Sequence, residues 1–253
     1  MPYVEKHICV WVKKIRLLAI VASFFSIDIN FCGIFAKDCL GMKRYCLFFL
    51  LIMLGFRLVG QNHLLKNGDL LFQVNASSAL SDAIAASTTA RTNITYTHVG
   101  IVCIENDSVF VIEATTPCVV RTPLDSFLNN SAFVNGKPLV AVARLKSRVS
   151  KHVDLNGIVQ KASSYIGCPY DYVYAADNNA YYCSELVYVC YTDKRQKPVF
   201  NTIAMTFKEG DHDSSYWIAH FAAYNVPIPE GEQGSNPQQL SQSEKIYFVF
   251  RYF

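Results

Sequence analysis

The sequence predicts an α+β domain in which an antiparallel sheet packs against a helix headed by a cysteine, and three stretches carry that reading. The first is a hairpin: Val99 to Ile104 runs through Glu105-Asn106-Asp107-Ser108 and returns as Val109 to Ala114. The second is Cys183-Ser184-Glu185-Leu186-Val187-Tyr188-Val189-Cys190-Tyr191. There Leu186, Val187, Val189 and Cys190 recur at a spacing that buries one helical face and leaves Cys183 in the first turn. The third is Leu139 to Leu145, a strand of the buried type, with a last strand at Ile246 to Tyr252.

The remaining elements follow from local signals. Leu70 to Val74 reads as a first strand after Asn67-Gly68-Asp69, and Ser78 to Ala86 as a short helix with Ser77 or Ser78 near its start. Ser87 to Tyr96 is a loop leading to the hairpin. Asp154 to Ile166 is a helix capped by Asp154 and stopped by Gly167. Pro227 to Ser243, rich in Pro, Gly, Gln and Ser, reads as an ordered surface loop or lid edge. No internal repeat, linker or second domain is evident.

Cys183 is the first candidate for chemistry. At a helix N-terminus the unpaired backbone N–H groups and the positive end of the dipole favour a thiolate, and the same N–H groups can hold an oxyanion. His98 opens the first hairpin strand. With Glu105-Asn106 as the two-residue loop it lies opposite Glu113, and with Asn106-Asp107 as the loop Glu113 becomes its diagonal neighbour. Both registers put His98 and Glu113 on one face, where the carboxylate can fix the imidazole's tautomer. Nucleophile, base and orienter are the three roles of covalent catalysis. Tyr170, Tyr172, Tyr174, Tyr181 and Tyr182 flank the cysteine and read either as an apolar wall for substrate or as core packing.

Gly167-Cys168-Pro169-Tyr170, a spacer, and Cys183-Ser184-Glu185-Leu186-Val187 together resemble the nucleophile segment of NlpC/P60 cysteine peptidases. In ordinary members the cysteine helix precedes the histidine strand; here His98 comes first and Cys183 follows 85 positions later. That order resembles the YiiX/YaeF-like branch, the circularly permuted papain-like amidases. All five pieces of that branch's pattern occur: Gly68-Asp69-Leu70, Thr97 to Val102, Glu113-Ala114, Pro169-Tyr170-Asp171 and Tyr182 to Val187. The resemblance covers roughly Leu64 to Phe253. It implies a permuted papain-like fold, with Cys183 as nucleophile, His98 as general base and Glu113 as its orienter. It also implies Tyr170 beside the nucleophile, aiding an oxyanion or lining the cleft. Members that cut cell-wall peptides carry Asp before the cysteine and Gly two places after it; here these are Tyr182 and Glu185. An aromatic ring in place of an anion argues against a muropeptide and for a more hydrophobic small-molecule, lipid-amide or peptide substrate.

Composition sets the outer bounds. With 253 residues, 51% hydrophobic, and a formal charge of +3, the chain is not extended disorder and shows no basic footprint for nucleic acid. Met42-Lys43-Arg44-Tyr45, the apolar run Cys46 to Leu54, and Gly60 before Gln61 read as a secretory signal peptide over 42–60. Residues 1–41 then form an upstream extension before the true start, and 61–253 the catalytic domain. An uncleaved 42–60 segment acting as a membrane anchor is the alternative. The expected location is therefore the periplasm or cell envelope. No C-x-x-C or Cys/His ligand spacing appears, so neither metal nor cofactor is expected. Asp211-His212-Asp213 reads as a solvated turn, and His63, His152 and His220 as structural. Asp69 and Asp171 stay outside the catalytic set, as turn or cap residues. The expected activity is hydrolysis of an amide or ester through a cysteine acyl-enzyme. A thioester-based acyltransferase and a catalytically silent binding module of the same fold remain as alternatives.

Overall fold

The computed structural model describes residues 62–88, 94–176 and 178–253, of which Asn62–Phe253 cluster as one unit. The expected upstream extension over 1–41 and the expected signal peptide over 42–60 lie outside the described residues. The sheet strands are β1 (Leu70–Gln73), β2 (His98–Glu105), β3 (Ser108–Ala114), β4 (Val119–Pro123), β5 (Val140–Leu145) and β6 (Ile246–Arg251). The helices are α1 (Ala79–Ala86), α2 (Leu124–Asn129), α3 (Leu155–Ser164), α4 (Cys183–Cys190), α5 (Ser215–Ala223) and α6 (Pro237–Ser241), with a single turn at Ser147–Ser150. The six strands form one antiparallel sheet in the order β6-β5-β1-β2-β3-β4.

Both faces of this sheet are buried, which is why its central strands are apolar on successive residues. On one face Phe72, Val99, Ile101 and Ile112 meet Ile158 and Ala162 of α3 and Leu186 and Val187 of α4. Leu186 and Val187 are fully buried, and each side chain contributes about 1.5–3 kcal/mol to holding α4 on the sheet. On the other face Leu71, Val102, Val111 and Val142 meet Leu124, Phe127 and Leu128. Among the described residues no helix is long and apolar enough to cross a membrane.

The hairpin resolves to the second of its two registers. Ile101 pairs with Ile112 and Glu105 with Ser108, so Asn106-Asp107 is the turn, with φ of 48° and 63°. Two consecutive left-handed residues are the mark of the twist-compatible tight turn, and Asn and Asp are the side chains that tolerate it. Glu113 therefore stands opposite Gly100 and diagonal to His98. A Cβ on Gly100 would lie 2.3 Å from Val111 Cγ1 and 3.4 Å from Glu113 Cβ, so the glycine leaves the carboxylate room to lean toward His98.

Several elements differ from the sequence reading. α3 ends at Ser164, and Asp154 occupies its cap position without a side-chain capping bond. Tyr165 and Ile166 continue it only through short-range bonds to Ala162 and Ser163, before Gly167 turns the chain at φ 91°. β4 and α2, absent from the sequence reading, extend the sheet beyond β3 and cover its second face. The Pro227 to Ser243 segment is a packed wall rather than a surface loop: Gln233–Gly234 pairs with Ile203–Ala204, and Asn236 caps α6 by accepting from Gln239 N–H at 2.7 Å. Ser235, Gln238 and Leu240 of this segment are buried.

The Gly68-Asp69-Leu70 piece is structural. Asp69 is 1% exposed; its Oδ1 accepts from Arg144 Nε at 2.6 Å, and its Oδ2 from Arg144 Nη2 at 2.7 Å and Lys66 N–H at 2.8 Å. Arg144 also donates to Leu64 O at 2.7 Å, tying the chain before β1 to β5.

Candidate active site

His98, Glu113 and Cys183 meet at one end of the sheet. The His98 Nε2–H donates to Glu113 Oε2 at 2.5 Å, and both side chains are buried, at 7% and 5% exposure. With Nε2 engaged by the carboxylate, Nδ1 remains for Cys183. Burial alone would push the imidazole below its ordinary value. The hydrogen bond with Cys183, then the one with Glu113 and the charges of both, outweigh it and raise His98 from 6.5 to about 10. The ring is thus an imidazolium at neutral pH, held between two acidic groups. The His98 ring centroid also lies 5.9 Å from that of Phe127, which walls it on the α2 side.

Glu113 has a second partner that the sequence reading did not find. Thr122 of β4 donates its hydroxyl to Glu113 Oε1 at 2.5 Å, so each carboxylate oxygen is committed. Val120 of β4 pairs with Glu113 and Val111 with Thr122, which places the hydroxyl diagonally across the strand pair. The one available signal was Val119 to Pro123, a β-branched run too short and too close to proline to read as a strand. Thr122→Val removes the donor while keeping the shape. We expect a loss of about 1 kcal/mol of stability and a tenfold or smaller fall in turnover, read by thermal melting and steady-state rates; an unchanged protein on both counts would show that Thr122 only fills space.

Cys183 begins α4 with Tyr182 at the cap position. The Tyr182 side chain makes no cap bond, whereas the Glu185 carboxylate accepts from Tyr182 N–H at 3.4 Å. The first turn of α4 therefore presents its N–H groups toward the cleft end of the helix without a side-chain cap from Tyr182. Ser184 Oγ donates to Ser235 O at 3.0 Å, and Ser235 N–H donates to the Tyr182 hydroxyl at 3.2 Å. These two bonds dock the 227–243 wall on the head of α4.

Tyr170 is carried to Cys183 by a strap. Val119 N–H donates to Cys168 O, Gly167 N–H to Val119 O and Tyr170 N–H to Pro117 O, each at 2.9 Å, and Tyr170 bridges to Tyr181. Burial, followed by the charges of Tyr174 and Cys183, pushes the Tyr170 phenol well above its ordinary value, so it is an O–H donor. Tyr170 and Tyr182 both line the cleft at Cys183. The rest of the tyrosine cluster divides. Tyr174 joins the cleft wall, Tyr172 stacks on Tyr224 at 5.4 Å, and Tyr181 lies 4.5 Å from Tyr165. Trp217, Phe207 and Met205, distant in sequence, complete the wall. His220 bonds Tyr172 O at 2.7 Å as part of this packing, and Asp211-His212-Asp213 lies on an exposed two-strand turn.

A cysteine at a helix head, a buried imidazolium and its carboxylate, set on an antiparallel sheet, are the layout of a papain-like cysteine hydrolase. The family described as "Permuted papain-like amidase enzyme, YaeF/YiiX, C92 family" matches residues 64–250, and the chain belongs to it. The chain is similar to the "Uncharacterized protein YiiX" of Escherichia coli (strain K12), with 32% identity over 185 residues, covering 73% of this chain and 85% of that protein. It is also similar to the crystal structure of "metalloprotein yiiX" from Escherichia coli O157:H7, with 26% identity and a TM-score of 0.57, covering 74% of this chain and 97% of that one. In this chain, among the described residues, no three His, Cys, Asp or Glu side chains group as metal ligands.

Proposed function

We propose that this chain is a cysteine amidase, NlpC/P60-like in its site, that cleaves an amide or ester through a thioester on Cys183. The observation that carries the reading is His98, bonded to Glu113 at 2.5 Å and lining one cavity together with Cys183. The Cys183 thiolate attacks the carbonyl carbon, forming a C–S bond and placing the electron pair on the oxygen. The Cys183 N–H and the Tyr170 O–H are the donors for that oxyanion. The oxyanion collapses, the bond to nitrogen or oxygen breaks, and the imidazolium of His98 supplies the proton to the leaving group. His98, now neutral, removes a proton from water, which attacks the thioester and releases the carboxylic acid and the thiol. Glu113 keeps its charge throughout and holds the ring in one tautomer.

The direct test is Cys183→Ala on the purified chain. On any amide or ester that the wild type cleaves, turnover should fall by at least about a thousandfold, and rapidly quenched wild type alone should carry the acyl mass on Cys183. Full activity in the alanine variant sinks the proposal. We also infer export: the run Lys43-Arg44 followed by Cys46 to Leu54 supports a cleaved signal over 42–60, with 61–253 as the working domain in the periplasm or envelope. Intact-mass analysis of the exported protein should give a chain starting at Gln61; a start at Met1 or Met42 would instead mean a retained anchor.

A further inference from the structure

Two cavities open on Cys183, and their linings differ in kind. One is walled by Tyr174, Tyr182, Met205, Phe207 and Trp217. The other is walled by Asn75, Ser78, Thr97, Thr115 and Thr116 together with His98. Cys183, Tyr170 and Ile84 line both. Among the described residues no Asp, Glu, Lys or Arg lines either cavity, and His98 is the one cationic group. The aromatic wall is rigid: Trp217 packs edge-on to Phe207 at 5.1 Å and to Tyr174 at 5.6 Å, and its Nε1–H is held by Ser87 Oγ at 2.9 Å.

Resting on the hydrolase reading above, we infer that the two cavities sort the two halves of the substrate. The aromatic cavity takes an uncharged aromatic or branched apolar acyl group, and the hydroxyl-lined cavity takes a small, polar, uncharged amine or alcohol as leaving group. The direction follows from proton transfer. A scissile bond lying over Cys183 sends one half into each cavity, and the acid must reach the departing atom. His98 borders only the polar cavity, so the leaving group lies there and the acyl half faces Trp217. An acyl carboxylate on the aromatic side would lose its hydration and gain no cation. Neutral acyl groups bury apolar surface instead and find the Tyr174 and Tyr182 hydroxyls and Ser235 as uncharged polar neighbours.

The test is the rate of Cys183 alkylation in the full chain by three chloromethyl ketones, in which the thiolate sulfur displaces chloride and the acyl group is varied. The probes are derived from phenylpropionic acid, from succinic acid with one carboxylate retained, and from acetic acid. The phenylpropionyl probe should label Cys183 about tenfold or more faster than either of the others. Thr206 and Thr116 are exposed at the rims of the aromatic and polar cavities respectively. Thr206→Lys should move the succinyl-to-phenylpropionyl rate ratio toward succinyl by about fivefold or more, and Thr116→Lys should leave that ratio within about twofold. Equal rates for the three probes, or a succinyl preference in the wild type, overturn the assignment while leaving the hydrolase reading intact. A shift produced by Thr116→Lys and not by Thr206→Lys overturns its direction. Absence of Cys183 labelling by all three probes sinks the hydrolase reading and the assignment with it.

Discussion

Cys183 should be alkylated by iodoacetamide at least about tenfold faster in the wild type than in His98→Ala at pH 6, with the two rates converging above pH 10. The sign follows from His98. Its folded value is raised from 6.5 to about 10, so between those limits the ring is charged in the folded protein and neutral in the unfolded chain. An imidazolium beside sulfur favours the ion pair, and that partner disappears as pH rises through about 10. The same linkage bears on stability. The contribution of His98 is complete below 6.5, persists in part above it, and is lost as pH rises through about 10. Hydrolysis that needs the imidazolium as acid should show its falling alkaline limb near 10 rather than near 6.5. Indistinguishable alkylation profiles in the two proteins would remove the Cys183–His98 pair and leave a cleft without an activated nucleophile.

Arg144→Met should destabilise the fold by about 3–5 kcal/mol, measured by urea unfolding, because it strands Asp69. Asp69 is 1% exposed and receives two of its three charge-satisfying bonds from that one guanidinium. Removing the cation leaves a buried carboxylate with the Lys66 N–H alone. The double variant Asp69→Asn with Arg144→Met should recover much of the loss, since the uncompensated charge is gone. A single variant within about 0.5 kcal/mol of wild type would show that water reaches Asp69 and that the pair is dispensable.

The parts of the site that were legible in the sequence were those in which chemistry and period coincide. His98 and Glu113 share a face in either register because both loops contain two residues, and parity alone fixes the side of the sheet. Choosing between the registers required the backbone of Asn106-Asp107, whose side chains tolerate left-handed φ without demanding it. Thr122 was hidden by a five-residue strand ending in proline. The aromatic wall was legible only in part: Tyr174 and Tyr182 flank the cysteine in sequence, whereas Met205, Phe207 and Trp217 lie far from it and only the packed chain brings them together. The Pro227 to Ser243 segment has a loop's composition, yet Asn236-Pro237 is a helix start, and the buried Leu240 gives that turn its purchase on the core.

The tight turn at Asn106-Asp107 has a consequence for when the protein becomes reactive. His98 and Glu113 are separated by 15 positions and can be brought together by the hairpin alone, whereas Cys183 lies 85 positions from His98. Closing the longer loop costs about 1.5 kcal/mol more chain entropy, and the packing of α4 on the sheet must repay it. The hairpin alone can thus orient the imidazole, whereas the thiol joins it only when α4 packs on the sheet. A chain in which α4 has not yet packed on the sheet carries Cys183 as an ordinary side chain, away from the base that arms it. Reactivity thus depends on tertiary packing, and the protein is silent until α4 is docked.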